Sequence, residues 1–300
     1  MASQKVAIIQ ESNLDMAICQ ANSKQDFIDM FTINNMDWMV IIDGHGHHIN
    51  KSKINLVTWL HQYDWRLFLG NFDKNYSPRL NPINIIQEKI GLLFKCTSGI
   101  GATMSIVRII DNKKVTIWWR GDSSVKIYEN NKFIGGTKDI SITMQKEKDR
   151  LENQGINYVV DDSSYRPHVL SARRITMKPS YYISFNINDK LMEDRINMSQ
   201  SIGHNGGCGF SDNRVDYNLN KINNYKIVGG SDGLWDVFGE TEEENEIIAD
   251  LNTSASDLVN LALERWEQEW EYEWYGKVMQ KERLQGRDDI CCGIYKIINK

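Results

Sequence analysis

One stretch of this 300-residue sequence, residues 38–48, reads Trp38-Met39-Val40-Ile41-Ile42-Asp43-Gly44-His45-Gly46-His47-His48. An apolar run ends there abruptly in a carboxylate, a glycine and an imidazole, which is typical of a buried strand whose end reaches an open edge. A second stretch also ends a strand-like run in Asp-Gly: Tyr225-Lys226-Ile227-Val228-Gly229-Gly230-Ser231-Asp232-Gly233. Because two such strand ends can converge, we expect their carboxylates to share one cation.

The composition is that of a globular protein with a sizeable core. Hydrophobic residues make up 41% of the chain and charged residues 25%, so disorder is not expected. The formal net charge is −5 and no block of consecutive Lys or Arg occurs, which argues against nucleic acid as a partner. No apolar stretch reaches the roughly 18 residues of a membrane span, so neither membrane insertion nor secretion is expected.

Cysteine usage indicates a reducing compartment. The cysteines are odd in number and show no Cys-x-x-Cys spacing, which argues against a disulfide framework and a structural zinc site; they are Cys19, Cys96, Cys208, Cys291 and Cys292. We therefore expect a cytoplasmic protein. The sequence leaves the oligomeric state open.

Short strands and two helices are predicted for the first half of the chain. Strands over 6–10, 16–20, 27–32 and 38–42, separated by Asn, Asp and Ser, favour an antiparallel meander. Helical spacing follows, with one face formed by Leu56, Trp59, Leu60, Tyr63 and Leu67, and then a second helix over 83–95. Further strands over 103–110, 115–120, 125–129 and 132–134 are joined by turns so short that we expect antiparallel neighbours throughout.

The second half is predicted to be more helical around a weakly patterned region. A charged helix over 141–155 precedes residues 156–198, which we interpret as a loop-rich flap. Helices follow over 240–251 and 254–283, the latter starting at a Ser254–Asp257 capping box. Apolar residues recur at every fourth position and predict one core-facing side of that long helix, with the intervening Glu residues in solvent: Leu258, Ala262, Trp266, Trp270 and Trp274. A last strand covers 290–298.

Acidic residues stand at strand ends or turns in four places: Asp43, Asp122, Asp232 and Asp288. Taken singly, an Asp beside Gly is usually a turn former. Mg²⁺ and Mn²⁺, however, require several oxygen ligands, which a protein supplies by bringing carboxylates together from separate strands. The four positions together therefore predict a divalent metal site.

Seven short motifs follow one another along nearly the whole chain. They are Lys24-Gln25-Asp26, Asp43-Gly44-His45-Gly46, Gly99-Ile100-Gly101-Ala102-Thr103, Gly121-Asp122-Ser123, Ser199-Gln200-Ser201-Ile202-Gly203-His204, Ser231-Asp232-Gly233-Leu234-Trp235-Asp236 and Arg287-Asp288-Asp289-Ile290. In this order they resemble the motifs of the protein phosphatase 2C (PPM) family of metal-dependent serine/threonine phosphatases. The resemblance implies an α+β fold in which two antiparallel β-sheets pack as a sandwich flanked by α-helices, an α-β-β-α four-layer arrangement. It covers residues 1–300 as a single domain, with the flap insertion at about 156–198.

The resemblance also implies a centre of two Mn²⁺ or Mg²⁺ ions that activates water for attack on phosphoserine or phosphothreonine in a protein substrate. Asp43 would bridge both ions, the Gly44 carbonyl, Asp232 and Asp288 would complete the protein ligands, and Asp26 would hold metal-bound water. A third, weaker ion would be held by Asp122 with Asp232 and Asp236.

His45 takes the position of the family's general acid, which protonates the leaving serine or threonine oxygen. The same resemblance leaves the roles of His47 and His48 open, as spectators or as residues that tune metal or substrate binding.

Several positions depart from the family pattern. An arginine that would precede Asp26 is replaced by residues within Gln20-Ala21-Asn22, and Lys24 is a candidate substitute. Ser124 and Gln200 stand where two further arginines are usual, His204 replaces an aspartate and Asp289 an asparagine. Because every expected oxygen ligand is retained, the sequence favours an active enzyme.

Two other functions stay open. A non-enzymatic binding or regulatory protein on the phosphatase fold would explain the lost arginines and the acidic, Trp-rich segment 265–275. A metal-dependent hydrolase of small phosphoesters is the second, and the negative charge argues against a nucleic acid substrate.

Overall fold

The computed structural model describes residues 7–11, 13–21, 23–46, 55–77, 79–94, 97, 99–138, 140–187, 190–191, 196, 198–274 and 277–299. His47, His48, Asn22 and Cys96 lie outside these residues, so the predictions about them have no structural counterpart. No helix within the described ranges combines the length and apolar composition needed to cross a bilayer.

The strands are β1 (Ala7–Glu11), β2 (Leu14–Cys19), β3 (Asp26–Ile33), β4 (Met36–His45), β5 (Gly101–Ile110), β6 (Lys114–Arg120), β7 (Ser124–Glu129), β8 (Lys132–Gly136), β9 (Asn157–Ser171), β10 (Arg174–Ile187), β11 (Lys190–Leu191), β12 (Ile202–Gly203), β13 (Arg214–Asn218), β14 (Tyr225–Gly230), β15 (Glu269–Trp274), β16 (Lys277–Arg283) and β17 (Ile290–Ile297). The helices are α1 (Leu56–Gln62), α2 (Trp65–Gly70), α3 (Phe72–Asn75), α4 (Pro82–Leu93), α5 (Gln145–Asn153), α6 (Asp232–Trp235), α7 (Glu242–Ala249) and α8 (Ala255–Glu267).

These strands form three sheets. The first sheet has the order β1-β2-β17-β14-β7-β8, and the second has the order β13-β6-β5-β4-β3 with β12 paired to β5. The third sheet, β11-β10-β15-β16 with β9 paired to β10, contains the region predicted as a flap. All pairs are antiparallel except β10 with β15.

Strand β4 shows why the layers stack as they do. Its Met39 and Ile41 face the first sheet, whereas Val40 and Ile42 face α1–α4 on the other side of the second sheet. A strand covered on both faces has no polar side, which is why the sequence there is a continuous apolar run. On the outer face of the first sheet, α8 packs its Leu258 and Ala262 into another part of the core. The predicted α-β-β-α four-layer fold is confirmed.

Two predictions about connectivity were wrong. The first four strands are not one meander, because the β1–β2 hairpin lies in the first sheet and the β3–β4 hairpin in the second. The turn at Gly121-Asp122 does not join neighbours either: β6 belongs to the second sheet and β7 to the first. Gly121 has a φ of +87°, a left-handed conformation that glycine adopts readily, and the chain there crosses from sheet to sheet.

The long C-terminal helix was also predicted wrongly. Helix α8 ends at Glu267, and β15 follows with the alternating sequence Glu269-Trp270-Glu271-Tyr272-Glu273-Trp274. Spacing by four is also a multiple of two, so the tryptophans that suggested a helix face fit one face of a strand equally well. The capping box at Ser254 and Asp257 is confirmed.

Two smaller expectations were corrected. The helix predicted through Leu67 breaks after Gln62, where the Asp64 side chain caps α2 by accepting from Leu67 N at 2.9 Å; Leu67 itself is exposed. The flap is not loop-rich, since β9 and β10 form a long hairpin over most of it. Its mixed polar and aromatic sequence hid the strand pattern because parts of both its faces are exposed.

One buried ion pair ties α7 to α8. Arg265 donates to the Glu244 carboxylate at 2.6 and 2.8 Å and to Val237 O at 3.0 Å, and both charged side chains are almost fully buried. We predict that Arg265→Met lowers the free energy of unfolding by about 3–5 kcal/mol, because the Glu244 carboxylate stays buried without its partner. Urea unfolding followed by circular dichroism measures this loss.

Arg66→Met is the matched control, since Arg66 forms a 3.5 Å pair with Asp29 while its own side chain is 64% exposed. We expect that change to cost under about 1 kcal/mol. Equal losses for the two variants would contradict a structural role for the buried pair.

Candidate metal centre

The candidate site lies at one edge of the sandwich, where both sheets deliver strand ends. Strand β4 ends in Asp43-Gly44-His45, and β3 starts at Asp26, directly opposite Asp43 in the register. In the other sheet, Gly230 at the end of β14 pairs with both Ser124 and Cys292 at the starts of β7 and β17. Asp122, Asp232 and Asp288 therefore stand next to strand ends at this same edge.

Three carboxylates from three separate parts of the chain converge there. One oxygen each from Asp43, Asp122 and Asp232 can be chosen so that all lie within 4.8 Å of one another. Three more carboxylates are close enough to interact electrostatically with this group. Asp26 interacts with Asp43, and both Asp236 and Asp288 interact with Asp232. The structure therefore brings together the acidic side chains that the sequence predicted; Gly44 lies at the same strand end, with its N–H donated to Gln25 O at 3.1 Å.

Burial and mutual repulsion make these carboxylates hard to ionise. Burial raises the pKa of Asp26 to about 8, and the negative charges of Asp289 and Asp288 add to the effect, whereas a hydrogen bond with Ser231 opposes it. The pKa of Asp43 is raised well above its ordinary value by burial, then by Asp232 and Asp26. Burial and the neighbouring Asp122 and Asp236 do the same for Asp232.

These observations fit a divalent cation. Asp26 Oδ2 and Asp232 Oδ1 are buried and have no hydrogen-bond partner among the described residues. Buried polar oxygens without partners are costly, and hard cations bind clustered carboxylate oxygens. A site of this composition can therefore hold Mg²⁺ or Mn²⁺.

Asp289 has a structural role that the sequence did not reveal. Its buried carboxylate accepts hydrogen bonds from Ala21 N, from Ser23 Oγ at 2.7 Å and from Gln25 N at 2.6 Å. A carboxylate accepts from more N–H and O–H groups than the asparagine expected here, because its two oxygens are both acceptors. Asp289 thus fixes the loop that leads into Asp26.

The second missed residue is His204. Its ring stacks on His45, with 5.0 Å between centroids, and its Nε2 lies 2.7 Å from His45 Nε2. Ser201 Oγ is also 3.2 Å from His45 Nε2. A Cβ on Gly101 would overlap the His204 ring, so the glycine of that motif makes room for the imidazole.

Burial keeps both imidazoles neutral at pH 7. It lowers the pKa of His45 to about 4 and that of His204 to about 3, where His45 and Arg120 contribute further. Two neutral rings at this distance share one proton between their Nε2 atoms, one as donor and one as acceptor. His45 Nδ1 is then the nitrogen left to face another group, and it has no partner among the described residues.

Comparisons with known proteins agree with this architecture. No protein-family model and no curated protein sequence matches the chain. Among solved structures, a C. elegans sex determining protein is similar at a TM-score of 0.58 and 14% identity; the match covers 100% of this chain and 66% of that one, just under two thirds.

Two similar structures match over nearly their whole length. A bacterial serine phosphatase has a TM-score of 0.54 and 14% identity over 99% of both chains. The photosystem II phosphatase PBCP has a TM-score of 0.54 and 13% identity, over 95% of this chain and 98% of that one. At sequence identities this low, the structural similarity shows that the fold is shared and nothing more. The chain has the fold of the PP2C-type serine/threonine phosphatases.

Proposed function

We propose that this protein is a metal-dependent protein serine/threonine phosphatase. The observation that carries the proposal is the convergence of Asp43, Asp122 and Asp232, whose oxygens lie within 4.8 Å of one another at the edge where both sheets end. The shared fold supports it. Residues 1–300 form one catalytic domain in this proposal, with 156–198 as its flap.

Two Mn²⁺ or Mg²⁺ ions would be held by Asp26, Asp43, the Gly44 carbonyl, Asp232 and Asp288, and a third by Asp122, Asp232 and Asp236. Bound there, they supply a polarised water and positive charge beside the phosphoryl oxygens. The chain's own contribution is to fix the carboxylates: Asp289 holds the loop before Asp26, and the paired strands β3 and β4 set Asp26 against Asp43.

His45 is proposed to protonate the leaving oxygen from Nδ1. In the acid form, His45 carries protons on both ring nitrogens: its Nε2–H donates to Nε2 of the neutral His204, 2.7 Å away, and its Nδ1–H is the proton given to the leaving oxygen. A phosphate dianion entering the site favours the charged imidazolium and so raises the pKa of His45 from its low resting value.

A non-enzymatic binding or regulatory protein on the same fold is the second candidate. It is favoured by the residues that replace the expected arginines: Gln200 donates to Glu147 at 2.8 Å, and Ser124 donates to Asp122 O at 3.0 Å. Both positions serve structural hydrogen bonds and supply no cation for phosphate. Turnover measurements separate the two candidates.

We predict release of phosphate from a phosphothreonine peptide and from p-nitrophenyl phosphate that requires Mn²⁺ or Mg²⁺ and stops with chelator. Asp43→Asn and Asp232→Asn should each lower kcat/KM at least about 100-fold, because losing a ligand removes charge stabilisation in the transition state. Asp111→Asn, at a 61% exposed turn position, is the control. Wild-type release no greater than that of the two site variants would refute the enzyme and favour the binding role.

Without metal, stability should fall as pH rises. The pKa values of Asp26, Asp43 and Asp232 are raised in the folded state, so the folded chain retains protons that the unfolded chain loses above about pH 4. We expect the free energy of unfolding in chelator to drop by on the order of 2 kcal/mol between about pH 7 and 8.5, above the range in which the lowered pKa values of His45 and His204 make stability rise with pH.

Saturating Mg²⁺ should restore most of that loss, since cations bind the deprotonated carboxylates of the folded state. Thermal unfolding at each pH, with Mg²⁺ or chelator, gives the comparison. A chelator-treated protein that is more stable at the higher pH would show that these carboxylates are not the dominant buried acids.

His45→Ala should lower turnover of the phosphothreonine peptide more than turnover of p-nitrophenyl phosphate. An alkoxide leaving group needs a proton, whereas p-nitrophenolate does not, so we expect losses of about 100-fold or more and under about 10-fold respectively. Steady-state kinetics with both substrates measures the difference. Asp43→Asn, as comparison, should reduce both alike, and equal losses for His45→Ala would exclude it as the general acid.

A further inference from the structure

A cavity of about 720 Å³ opens beside the carboxylate cluster. Asp122, Asp232 and Asp236 line it, and residues of the β9–β10 hairpin line it as well. This volume is within the range of about 300–1,000 Å³ that is usual for ligand sites and exceeds what one phosphorylated side chain fills. The remaining space suits the residues that flank it in a peptide.

Basic side chains also line this cavity. They are Arg166 and His168 on β9 and Lys138 in the loop after β8. Lys178 stands directly across from Arg166 in the β9–β10 pairing, and residues opposite one another on neighbouring strands share a face. We call Lys138, Arg166 and His168 the basic wall.

Lys138 and Arg166 supply the positive charge of this wall. Neither forms an ion pair among the described residues, and both side chains are exposed. Burial, followed by Lys178 and Arg166, lowers the pKa of His168, so that this ring is neutral at pH 7; Glu240, which also lines the cavity, acts in the opposite direction. Lys126 also lines the cavity, but its ammonium lies 4.5 Å above the Trp235 ring.

The cavity therefore has lining residues with complementary charge preferences. Its carboxylates attract cations, and the basic wall attracts anions. We propose that the basic wall binds acidic side chains next to the phosphorylated residue, so that the preferred substrates are phosphoproteins with Asp or Glu around the target site. This inference rests on the proposed function, since it assigns that site a substrate class.

The test compares two phosphothreonine peptides of equal length, one with Asp and Glu flanks and one with Lys and Arg flanks. Wild-type protein with Mg²⁺ should show kcat/KM about tenfold higher for the acidic peptide, with the ratio falling as NaCl is raised. Lys138→Glu/Arg166→Glu should reverse the preference. Lys221→Glu is the control. Lys221 is exposed and lies before the start of β14, whereas Asp232 follows the other end of that strand.

Two kinetic outcomes would overturn the proposal. If the ratio of kcat/KM for the acidic peptide to kcat/KM for the basic peptide is unchanged in the double variant, the basic wall does not bind the charged residues that flank the phosphothreonine. An equal loss on both peptides would mean that Lys138 or Arg166 contacts the phosphoryl group itself.

The absence of any turnover would refute the proposed function without deciding this one. Fluorescence anisotropy of the two labelled peptides then measures binding to the wild type directly. Preferential binding of the acidic peptide, lost in the double variant, supports the basic wall; equal binding overturns it.

Discussion

Repulsion among buried carboxylates is the constraint on which this structure depends. Asp43 comes from the second sheet, Asp232 follows a strand of the first, and Asp122 lies in the turn between the sheets. Each raises the pKa of a neighbour, and unpaired buried charges cost several kcal/mol each. The fold holds them together because the strands behind them are buried on both faces, so that the edge residues have little freedom to separate.

The surrounding hydrogen bonds position this cluster without neutralising it. Asp289 uses its own carboxylate to hold residues 21–25 and thereby orients Asp26, while oxygens of Asp26 and Asp232 stay without partners in the described structure. His45 and His204 are paired with each other as neutral rings, so they bring no positive charge. The histidines beside the cluster therefore do not balance the negative charge that its carboxylates carry when ionised, and a bound cation would balance it.

The strand ends could be predicted from the sequence because their signals are local. The apolar run before Asp43 and the Asp-Gly pairs identified β4 and β14 directly, and the Ser254–Asp257 box identified the start of α8. Pairing between distant strands has no such local signal: the short turn at Gly121-Asp122 is equally compatible with a hairpin and with a change of sheet. The contact of His204 with His45 spans 159 residues, and that of Asp289 with Ala21 spans 268, so neither could be inferred from spacing.

The third sheet explains how Arg166 can line the cavity beside the carboxylates without standing on the same elements as they do. Val169 on β9 and Ile175 on β10 pack into the same core as Trp270 on β15. The hairpin is thus anchored near its tip by apolar contacts, and Arg174 adds ion pairs to Glu271 and Glu273 on β15. Arg166 lies farther along β9, on the part that lines the cavity. Asp26, Asp43 and Asp232 stand on β3, β4 and α6, and Asp122 lies in the turn after β6, whereas Arg166 stands on this separately anchored hairpin. The charge at residue 166 can therefore change without moving the carboxylates.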